Sequence, residues 1–367
     1  IVFHFDPSKD GGGAATMDVP AQSAMGIPVR LNLLSADSVS LDVLALLMEY
    51  TGKLNNGVIT GTFRQFGVAF PLELKAGDAG KPNRPQEPES PLGYKTEEVT
   101  FTNQKAHVSL AGTLTYPVNY TPDKKVPVVI MVTGSGAQNR DEEVFAHKPF
   151  RVIADYLAKQ GIASLRYDDR GVGQSTGNQA GCTSADFAED AACGLSWLKS
   201  SGKFNQVGIL GHSEGGLIAF MLGAEGKADF LVSMAGPGIK GDSLLVEQQN
   251  ALFKLKGIPS NVSVSTLRKS MATQPGNVWL EYFMDYDPRP DLERITIPVM
   301  AVNGSNDMQV LSDSNISAIR NCLSGKNSKN LIKVYPGLNH LFQHCEPAPP
   351  WIIIRLRKPV HQKFSGI

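Results

Sequence analysis

One serine in this chain has the surroundings of an activated nucleophile. Ser213 lies within Gly211-His212-Ser213-Glu214-Gly215, so glycines stand two positions before and two positions after it. An apolar, strand-like run precedes the segment, and a helix is predicted from about residue 214. A serine on such a sharp strand-to-helix turn is held exposed above a sheet, and larger side chains at the two flanking positions would clash with neighbouring elements. This context predicts a nucleophile elbow, whereas the bare string would fit any glycine-rich loop.

A serine hydroxyl needs a general base, and that base needs an acid to orient it. After a nucleophile elbow, the acid and then the histidine follow in chain order. Asp307 comes just after a predicted strand at 297–302, and His340 follows a predicted strand at 331–335. Both positions are strand ends, so the sequence predicts a triad of Ser213, Asp307 and His340.

Three other residues compete for parts of this site. Asp313 is the alternative acid and His344 the alternative base, and each is otherwise interpreted as a solvated loop residue. His212 adjoins the nucleophile and faces the wrong way for a base, so it is predicted to be a packing residue.

Acyl transfer also needs two backbone N–H groups to stabilise the oxyanion. The residue after the nucleophile, Glu214, is predicted to supply one. The second is assigned to Ser135 in the loop that follows the apolar run ending at Val132, with Gly136 as the next candidate. This loop lacks the Lys-Ser/Thr ending of a phosphate-binding loop. The triad and the oxyanion hole account for the chemistry, so neither a metal nor an organic cofactor is predicted.

Strands must place these groups at one edge of a sheet. From residue 93 strands and helices alternate, which predicts an α/β fold with a doubly wound, mostly parallel sheet, in which ligands bind beyond the carboxyl ends of the strands. Residues 1–75 read as short strands between turns and predict a small all-β domain, whole or in part. Residues 76–92 carry four prolines and predict a linker. The catalytic domain is predicted over 93–346 and an atypical tail over 347–367.

Composition excludes several kinds of partner. Thirty-five basic residues balance 35 acidic ones, which argues against nucleic acid and anionic membranes. No apolar run is long enough for a membrane span. The four cysteines have no Cys-x-x-Cys spacing, which disfavours a zinc or redox site and leaves their pairing open. No signal peptide is visible, and the oligomeric state stays open.

The motifs together resemble those of the bacterial α/β-hydrolases grouped with serine aminopeptidases and carboxylesterases. The resemblance covers residues 94–345. It implies an α/β-hydrolase fold, often preceded by a β-rich domain, activity on small acyl esters, and export to the periplasm or the exterior, with the cytoplasm as the alternative. The motifs are Gly134-Ser135-Gly136-Ala137-Gln138-Asn139-Arg140-Asp141, Tyr167-Asp168-Asp169-Arg170-Gly171-Val172-Gly173-Gln174-Ser175, Gly211-His212-Ser213-Glu214-Gly215-Gly216, Asn303-Gly304-Ser305-Asn306-Asp307 and Leu338-Asn339-His340.

The sequence departs from this family in two segments. The cap insertion, about 237–294, is short, although it keeps an aromatic run. Trp279, Tyr282 and Phe283, together with Gly136, are candidates for the substrate pocket, and ordinary packing explains the three aromatic residues equally well. At 347–367 a basic, β-prone tail replaces the amphipathic helix of the family, which suggests a frame-shifted reading of that helix.

These residues leave three hypotheses for function. The first is an esterase that acts on small carboxylic esters through an acyl-Ser213 intermediate. The second is a serine peptidase or aminopeptidase with the same triad, in which Glu214 or an acidic cap residue would hold the free amine. The third is a non-catalytic glycan- or lipid-binding protein on a hydrolase scaffold. Near the site, Arg170 and Asp169 are expected to form an ion pair that shapes a turn.

Overall fold

A computed structural model describes residues 2–6, 14–19, 24–44, 48–65, 68–77, 84–144, 147–255, 259, 261–272 and 276–345. The chain forms two compact units. One comprises 1–84 with 144–147, and the other comprises 85–143 with 148–367. The tail predicted at 347–367 lies outside the described residues.

The N-terminal unit is a seven-stranded antiparallel sheet in which every strand pairs with its neighbours in the chain. Side chains alternate between the two faces of a strand, and β4 accordingly alternates between buried and partly exposed positions. Its core contains Met17, Leu41 and Tyr50. The predicted all-β domain is confirmed. The strands are β1 Val2–Asp6, β2 Ala14–Val19, β3 Ala24–Leu34, β4 Ser38–Val43, β5 Met48–Asn55, β6 Val58–Gln65 and β7 Val68–Lys75.

The second unit contains an eight-stranded sheet in the order β15-β14-β13-β12-β10-β11-β9-β8. The six strands from β10 onward are mutually parallel, while β8 and β9 form an antiparallel hairpin at one edge. The predicted doubly wound, mostly parallel sheet is confirmed. The strands are β8 Thr96–Asn103, β9 Val108–Thr115, β10 Val126–Val132, β11 Ala163–Tyr167, β12 Phe204–His212, β13 Leu231–Met234, β14 Val299–Gly304 and β15 Leu331–Tyr335.

Helices cover both faces of this sheet because its central strands are apolar on both sides. Phe150 and Ala154 of α1 pack into one buried cluster. Residues of α2, α3 and α8 pack into the larger cluster around Ile130 and Ile209. The helices are α1 Pro149–Lys159, α2 Ser184–Ser200, α3 Glu214–Ala224, α4 Gly241–Leu255, α5 Val264–Ala272, α6 Val278–Asp285, α7 Arg289–Arg294 and α8 Ser312–Leu323.

The chain order of the strands creates a crevice at the carboxyl ends of the strands. The chain runs from β10 to β11 on one side and then crosses back over β10 to β12 on the other, so the direction of strand addition reverses at β10. Ligands of such sheets bind outside the carboxyl ends of the strands at this switch point. β10 ends at Val132 and β12 at His212, so the loops that follow these two strands flank the crevice. The cap segment between β13 and β14 consists of α4 to α7.

Candidate active site

Ser213 occupies a strained backbone position between β12 and α3. Its φ is 53° and its ψ is −118°, in a region that residues with a side chain seldom adopt. A Cβ added to Gly211 would lie 1.9 Å from the Gly215 carbonyl oxygen, and one added to Gly215 would lie 2.0 Å from the Val132 carbonyl oxygen. The close approach of backbone to backbone therefore requires glycine on both sides of the serine, as the spacing predicts.

The predicted acid and base meet at the same edge of the sheet. His340 Nδ1 lies 2.8 Å from Asp307 Oδ2. The other oxygen of Asp307 accepts the backbone N–H groups of Gln309 and Val310, at 2.8 and 2.9 Å. Asp307 is 3% exposed and His340 is 8% exposed, so both are shielded from water. Because Nδ1 donates to the carboxylate, Nε2 of His340 is left as the basic nitrogen.

Close packing of two loops brings Asp307 and His340 together. The Asn306 N–H donates to the Leu338 carbonyl at 2.9 Å, and a Cβ on Gly304 would come within 2.2 Å of the same oxygen. Neither alternative residue takes part in this contact. Asp313 is in the first turn of α8, and His344 forms a β-bridge with Leu338.

The Ser213 hydroxyl forms no hydrogen bond with a described residue. In unliganded hydrolases the bond between nucleophile and base often tightens only when substrate binds. The backbone of Ser213 is held in place by a hydrogen bond, in which its N–H donates to the Met234 carbonyl at 2.8 Å.

The loop after β10 lies directly beside the elbow. A Cβ on Gly134 would lie 3.3 Å from the Cβ of Ser213. Glu214 is the first residue of α3, so its N–H lacks a partner within the helix. Neither this N–H nor that of Ser135 donates to a described residue. The N–H of Glu214 and the loop that carries Ser135 therefore both adjoin Ser213.

Asp169 anchors the far end of that loop. Its carboxylate accepts the Gln138 N–H at 3.0 Å and the Thr133 hydroxyl at 2.9 Å. Burial raises the pKa of Asp169 to about 7, although these two hydrogen bonds act in the opposite direction. The carboxylates of Glu142 and Glu214 add to the increase.

The expected ion pair between Arg170 and Asp169 is wrong. Arg170 Nε and Nη2 bind the two carboxylate oxygens of Asp190, at 2.7 and 2.8 Å. Asn103 donates to the same carboxylate at 2.7 Å. Asp190 lies on α2 and belongs to no recognisable motif, so the sequence gave no indication that it pairs with Arg170. The pair fixes the turn after β11 to α2.

The side chain of Glu214 points into the protein, where it has two donors. Its Oε1 accepts the Ser184 hydroxyl at 2.5 Å and the Trp279 indole N–H at 2.8 Å. Glu214 is 2% exposed. The residue after the nucleophile is thereby linked to the cap helix α6.

The four pocket candidates have different surroundings. Trp279 lines a cavity of about 470 Å³ together with Gln179, Cys182 and Asn277. Phe283 stacks on Trp279 at 5.4 Å between ring centroids and packs in a buried cluster with Leu217 and Leu244. Tyr282 stacks on Tyr286 at 5.8 Å, and Gly136 is exposed with a φ of 98°.

His212 does more than the packing that its position predicts. It is 6% exposed, with Nδ1 2.9 Å from Glu142 Oε1 and Nε2 2.8 Å from the His340 carbonyl oxygen. Burial by itself lowers the pKa of His212, but the Glu142 carboxylate, the His340 carbonyl and Asp307 together raise it above the ordinary value. Glu142 lies one residue beyond the loop motif, and no spacing rule singles it out.

The four cysteines all lie within the described residues, and none of them forms a disulfide. Within the described ranges, no cluster of three or more His, Cys, Asp or Glu side chains is arranged to bind a metal ion. The helices of that same part of the chain include none that is long and apolar enough to cross a membrane.

Comparisons with known proteins agree with this architecture. The model of the family described as serine aminopeptidase, S33, matches residues 148–273, a segment that contains Ser213 and ends before Asp307. The esterase EstD of Thermotoga maritima is 30% identical over 262 residues, which is 68% of this chain and 61% of that protein. The chain therefore spans about three fifths of the length of this relative.

Solved structures match the chain at lower identity. The esterase Est1E of Butyrivibrio proteoclasticus with bound ferulic acid is 17% identical, with a TM-score of 0.50 over 71% of this chain and 100% of that one. The Pyrococcus furiosus esterase Pf2001 is 19% identical, with a TM-score of 0.49 over 67% of this chain and 83% of that one. At such identities the match to Est1E shows a shared fold.

Proposed function

We propose that this chain, which belongs to the α/β-hydrolase superfamily, is a serine hydrolase that cleaves small carboxylic esters through an acyl-enzyme on Ser213. The observation that carries the proposal is the 2.8 Å contact between His340 Nδ1 and Asp307 Oδ2. Together with the strained turn that carries Ser213, this buried and oriented imidazole supports a serine nucleophile activated by His340. The relatives named as esterases support the choice of substrate class.

The first half of the reaction forms the acyl-enzyme. His340 Nε2 takes the proton of the Ser213 hydroxyl while the Ser213 oxygen bonds to the ester carbonyl carbon. The imidazolium is stabilised by Asp307, whose two backbone hydrogen bonds keep the carboxylate in place. The tetrahedral intermediate collapses, the C–O bond to the alcohol breaks, and His340 returns the proton to the leaving alkoxide.

The second half consumes water. His340 takes a proton from water, the hydroxide oxygen bonds to the acyl carbon, and the bond to Ser213 breaks as the serine oxygen regains the proton. In both halves the N–H groups of Ser135 and Glu214 are proposed to bind the oxyanion. One such donor contributes about 3–4 kcal/mol of barrier lowering.

The environment of Glu214 favours esters over aminoacyl amides. An aminopeptidase needs a carboxylate that faces the free amine of its substrate. Glu214 is 2% exposed, and the same oxygen receives the Ser184 hydroxyl and the Trp279 indole N–H. An ammonium group would have to displace both donors to use that oxygen.

The proposal is tested by turnover of p-nitrophenyl acetate by the wild-type protein and by Ser213→Ala. The expected loss of kcat in the variant is on the order of 10⁴-fold or more. The matched control is Ser196→Ala, because Ser196 is an exposed serine of α2 whose hydroxyl donates to the Ala192 carbonyl. A fluorophosphonate probe should label Ser213 in the wild-type protein and in Ser196→Ala. Peptide mass spectrometry identifies the labelled residue.

Two outcomes would redirect the assignment. Faster turnover of alanine p-nitroanilide than of p-nitrophenyl acetate would favour the peptidase hypothesis. A folded wild-type protein that neither turns over these substrates nor reacts with the probe would contradict a catalytic serine, and would favour the binding-protein hypothesis.

A further inference from the structure

A buried carboxylate, Glu142, contacts two parts of the candidate site directly and a third through His212. Its Oε1 accepts the Gly134 N–H at 2.7 Å and lies 2.9 Å from His212 Nδ1. His212 in turn reaches the His340 carbonyl oxygen with Nε2, at 2.8 Å. Gly134 begins the oxyanion loop, His212 adjoins the nucleophile, and His340 is the proposed base. The hydrogen-bonded chain from Gly134 through Glu142 and His212 to His340 is called the Glu142 chain below.

The partners in this chain determine where its protons lie. A backbone carbonyl only accepts, so His212 Nε2 carries a proton. Glu142 Oε1 already accepts the N–H of Gly134, and an ionised carboxylate accepts a second donor readily. His212 Nδ1 is therefore the second donor, which makes the ring an imidazolium paired with the Glu142 carboxylate. The net increase in the pKa of His212 agrees with this charge state.

The surroundings give this pair more influence than an exposed one would have. Glu142 is 2% exposed and His212 is 6% exposed. Phe150, Met234 and Phe342 line the gap of about 10 Å³ beside them, which is hardly room for one water molecule. In such surroundings a hydrogen bond between charged groups is strong, and a charge left without its partner is costly.

The backbone of Glu142 is itself in an unusual conformation. Its φ is 51°, in the left-handed region, and its N–H donates to the Asn139 carbonyl at 2.8 Å. A residue with a side chain adopts this region at an energetic cost and keeps it only where surrounding contacts fix it. Here the contacts of the Glu142 carboxylate with Gly134 and His212 fix the backbone conformation. These contacts in turn require the position that this turn gives the carboxylate.

We propose that Glu142 is a positioning residue for the hydrolase reaction, acting as a carboxylate that keeps His212 protonated and so fixes the oxyanion loop, the elbow and the His340 loop relative to one another. This inference rests on the proposed function. The charged groups that face His212 are Glu142 and Asp307, and the His340 ring lies 4.7 Å away between centroids.

Glutamine cannot replace this carboxylate. Its amide oxygen could accept from Gly134 and His212, but the buried imidazolium would then lack a counter-charge and would lose a proton. A neutral imidazole donates from one nitrogen only. One of the three contacts in the Glu142 chain would then be lost, and the proposed base or the oxyanion loop would shift.

The test compares Glu142→Gln with Glu143→Gln on p-nitrophenyl acetate. Glu143 is the neighbouring, partly exposed carboxylate, which contacts Asn139 and Lys148, so its variant removes the same charge outside the chain of contacts. We expect kcat to fall on the order of 10- to 100-fold in Glu142→Gln, with KM changed by less than about threefold. In Glu143→Gln neither constant should change by more than about twofold.

A double-mutant cycle checks that the two residues act as one unit. His212→Asn should lower kcat by a similar factor, and the double variant should lose little more than the worse single variant. Losses that multiply would mean that Glu142 and His212 act independently, which contradicts the proposal.

The charge state of His212 can be measured without an activity assay. In wild-type protein labelled with ¹⁵N-histidine, the signal that disappears in His212→Asn should show two protonated ring nitrogens at pH 7. A neutral His212 at pH 7 in the wild-type protein overturns the inference, even if Glu142→Gln fails to fold. An active wild-type protein with an equally active Glu142→Gln also overturns it. A wild-type protein that hydrolyses no ester instead removes the proposed function, and with it the reaction that Glu142 would serve.

Discussion

The two units of this chain treat polar side chains in opposite ways. Among the residues of the N-terminal sheet whose burial is described, Asp18 is the one buried side chain with a formal charge. The α/β unit buries many, including Glu142, Arg170, Asp190 and Asp307. Burying a charge is unfavourable unless a partner compensates it. The α/β unit therefore depends on polar contacts that the N-terminal sheet does not need.

The two units also differ in the order of their strands. In the N-terminal sheet the spatial order of the strands is their order in the chain, so each contact forms between chain neighbours. In the α/β unit β10 lies between β11 and β12, and the residues of the proposed triad come from three separate strand ends. Polar groups that are far apart in the chain reach their partners only when the whole unit folds. Disrupting them should therefore affect activity or global stability, whereas changes in the N-terminal sheet should have local effects.

The largest effect is expected from Asp307→Asn. The amide cannot hold His340 in the tautomer that leaves Nε2 basic, so kcat on p-nitrophenyl acetate should fall about 10⁴-fold. The fold should persist, because asparagine keeps an oxygen for the N–H groups of Gln309 and Val310. Steady-state kinetics with a parallel circular dichroism spectrum check both statements. A loss below tenfold would mean that Asp307 does not orient the base.

The next largest effect is expected from Asp190→Ala. It leaves the guanidinium of Arg170 buried without its partner, so the free energy of unfolding should fall by about 3–5 kcal/mol. Urea unfolding followed by tryptophan fluorescence measures it, since Trp197 and Trp279 both belong to the second unit. The neighbouring Glu189→Ala is the control. Its carboxylate pairs with Lys105 at the surface, where solvent screens the pair, so the free energy of unfolding should stay nearly unchanged.

A pH-dependent effect of intermediate size is expected from Asp169. Its pKa of about 7 in the folded state lies above the value of an ordinary aspartate, so the folded protein holds this proton more tightly than the unfolded chain. The stabilising contribution is complete below pH 4 and is lost as pH rises through 7. Relative to Asp169→Asn, the wild-type protein should thus lose on the order of 2 kcal/mol of unfolding free energy between pH 5 and 8. A difference independent of pH would contradict the raised pKa.

The smallest effect is expected from Tyr50→Phe in the N-terminal sheet. The Tyr50 hydroxyl lies 3.2 Å from the Ile59 carbonyl and 3.0 Å from that of Leu72, and its loss should cost about 1 kcal/mol. Hydrogen exchange of the amides in β5 and β6 should quicken, while kcat/KM per folded molecule stays constant. A change in kcat/KM beyond about twofold would break the contrast between the two units.

Local patterns in the sequence predict much of the fold and the centre of the candidate site. Alternating side chains predict the antiparallel strands, and continuous apolar runs predict the buried parallel ones, because side-chain direction repeats every two residues in a strand. The glycines at 211 and 215 mark the elbow, because contacts with nearby backbone leave no room for a Cβ. Asp307 and His340 can be predicted because each follows a strand, and parallel strands end at a common edge.

Other partners follow from tertiary structure alone. Sequence spacing paired Arg170 with Asp169, but the fold pairs it with Asp190, because α2 lies across the turn. Glu142 meets His212 although 70 positions separate them, and Trp279 meets Glu214 across 65. Such contacts leave no periodic or local pattern, since either side chain alone is compatible with many surroundings. The sequence by itself thus determined which residues stand at the strand ends, while the packing of loops and helices decided which buried charges those residues contact.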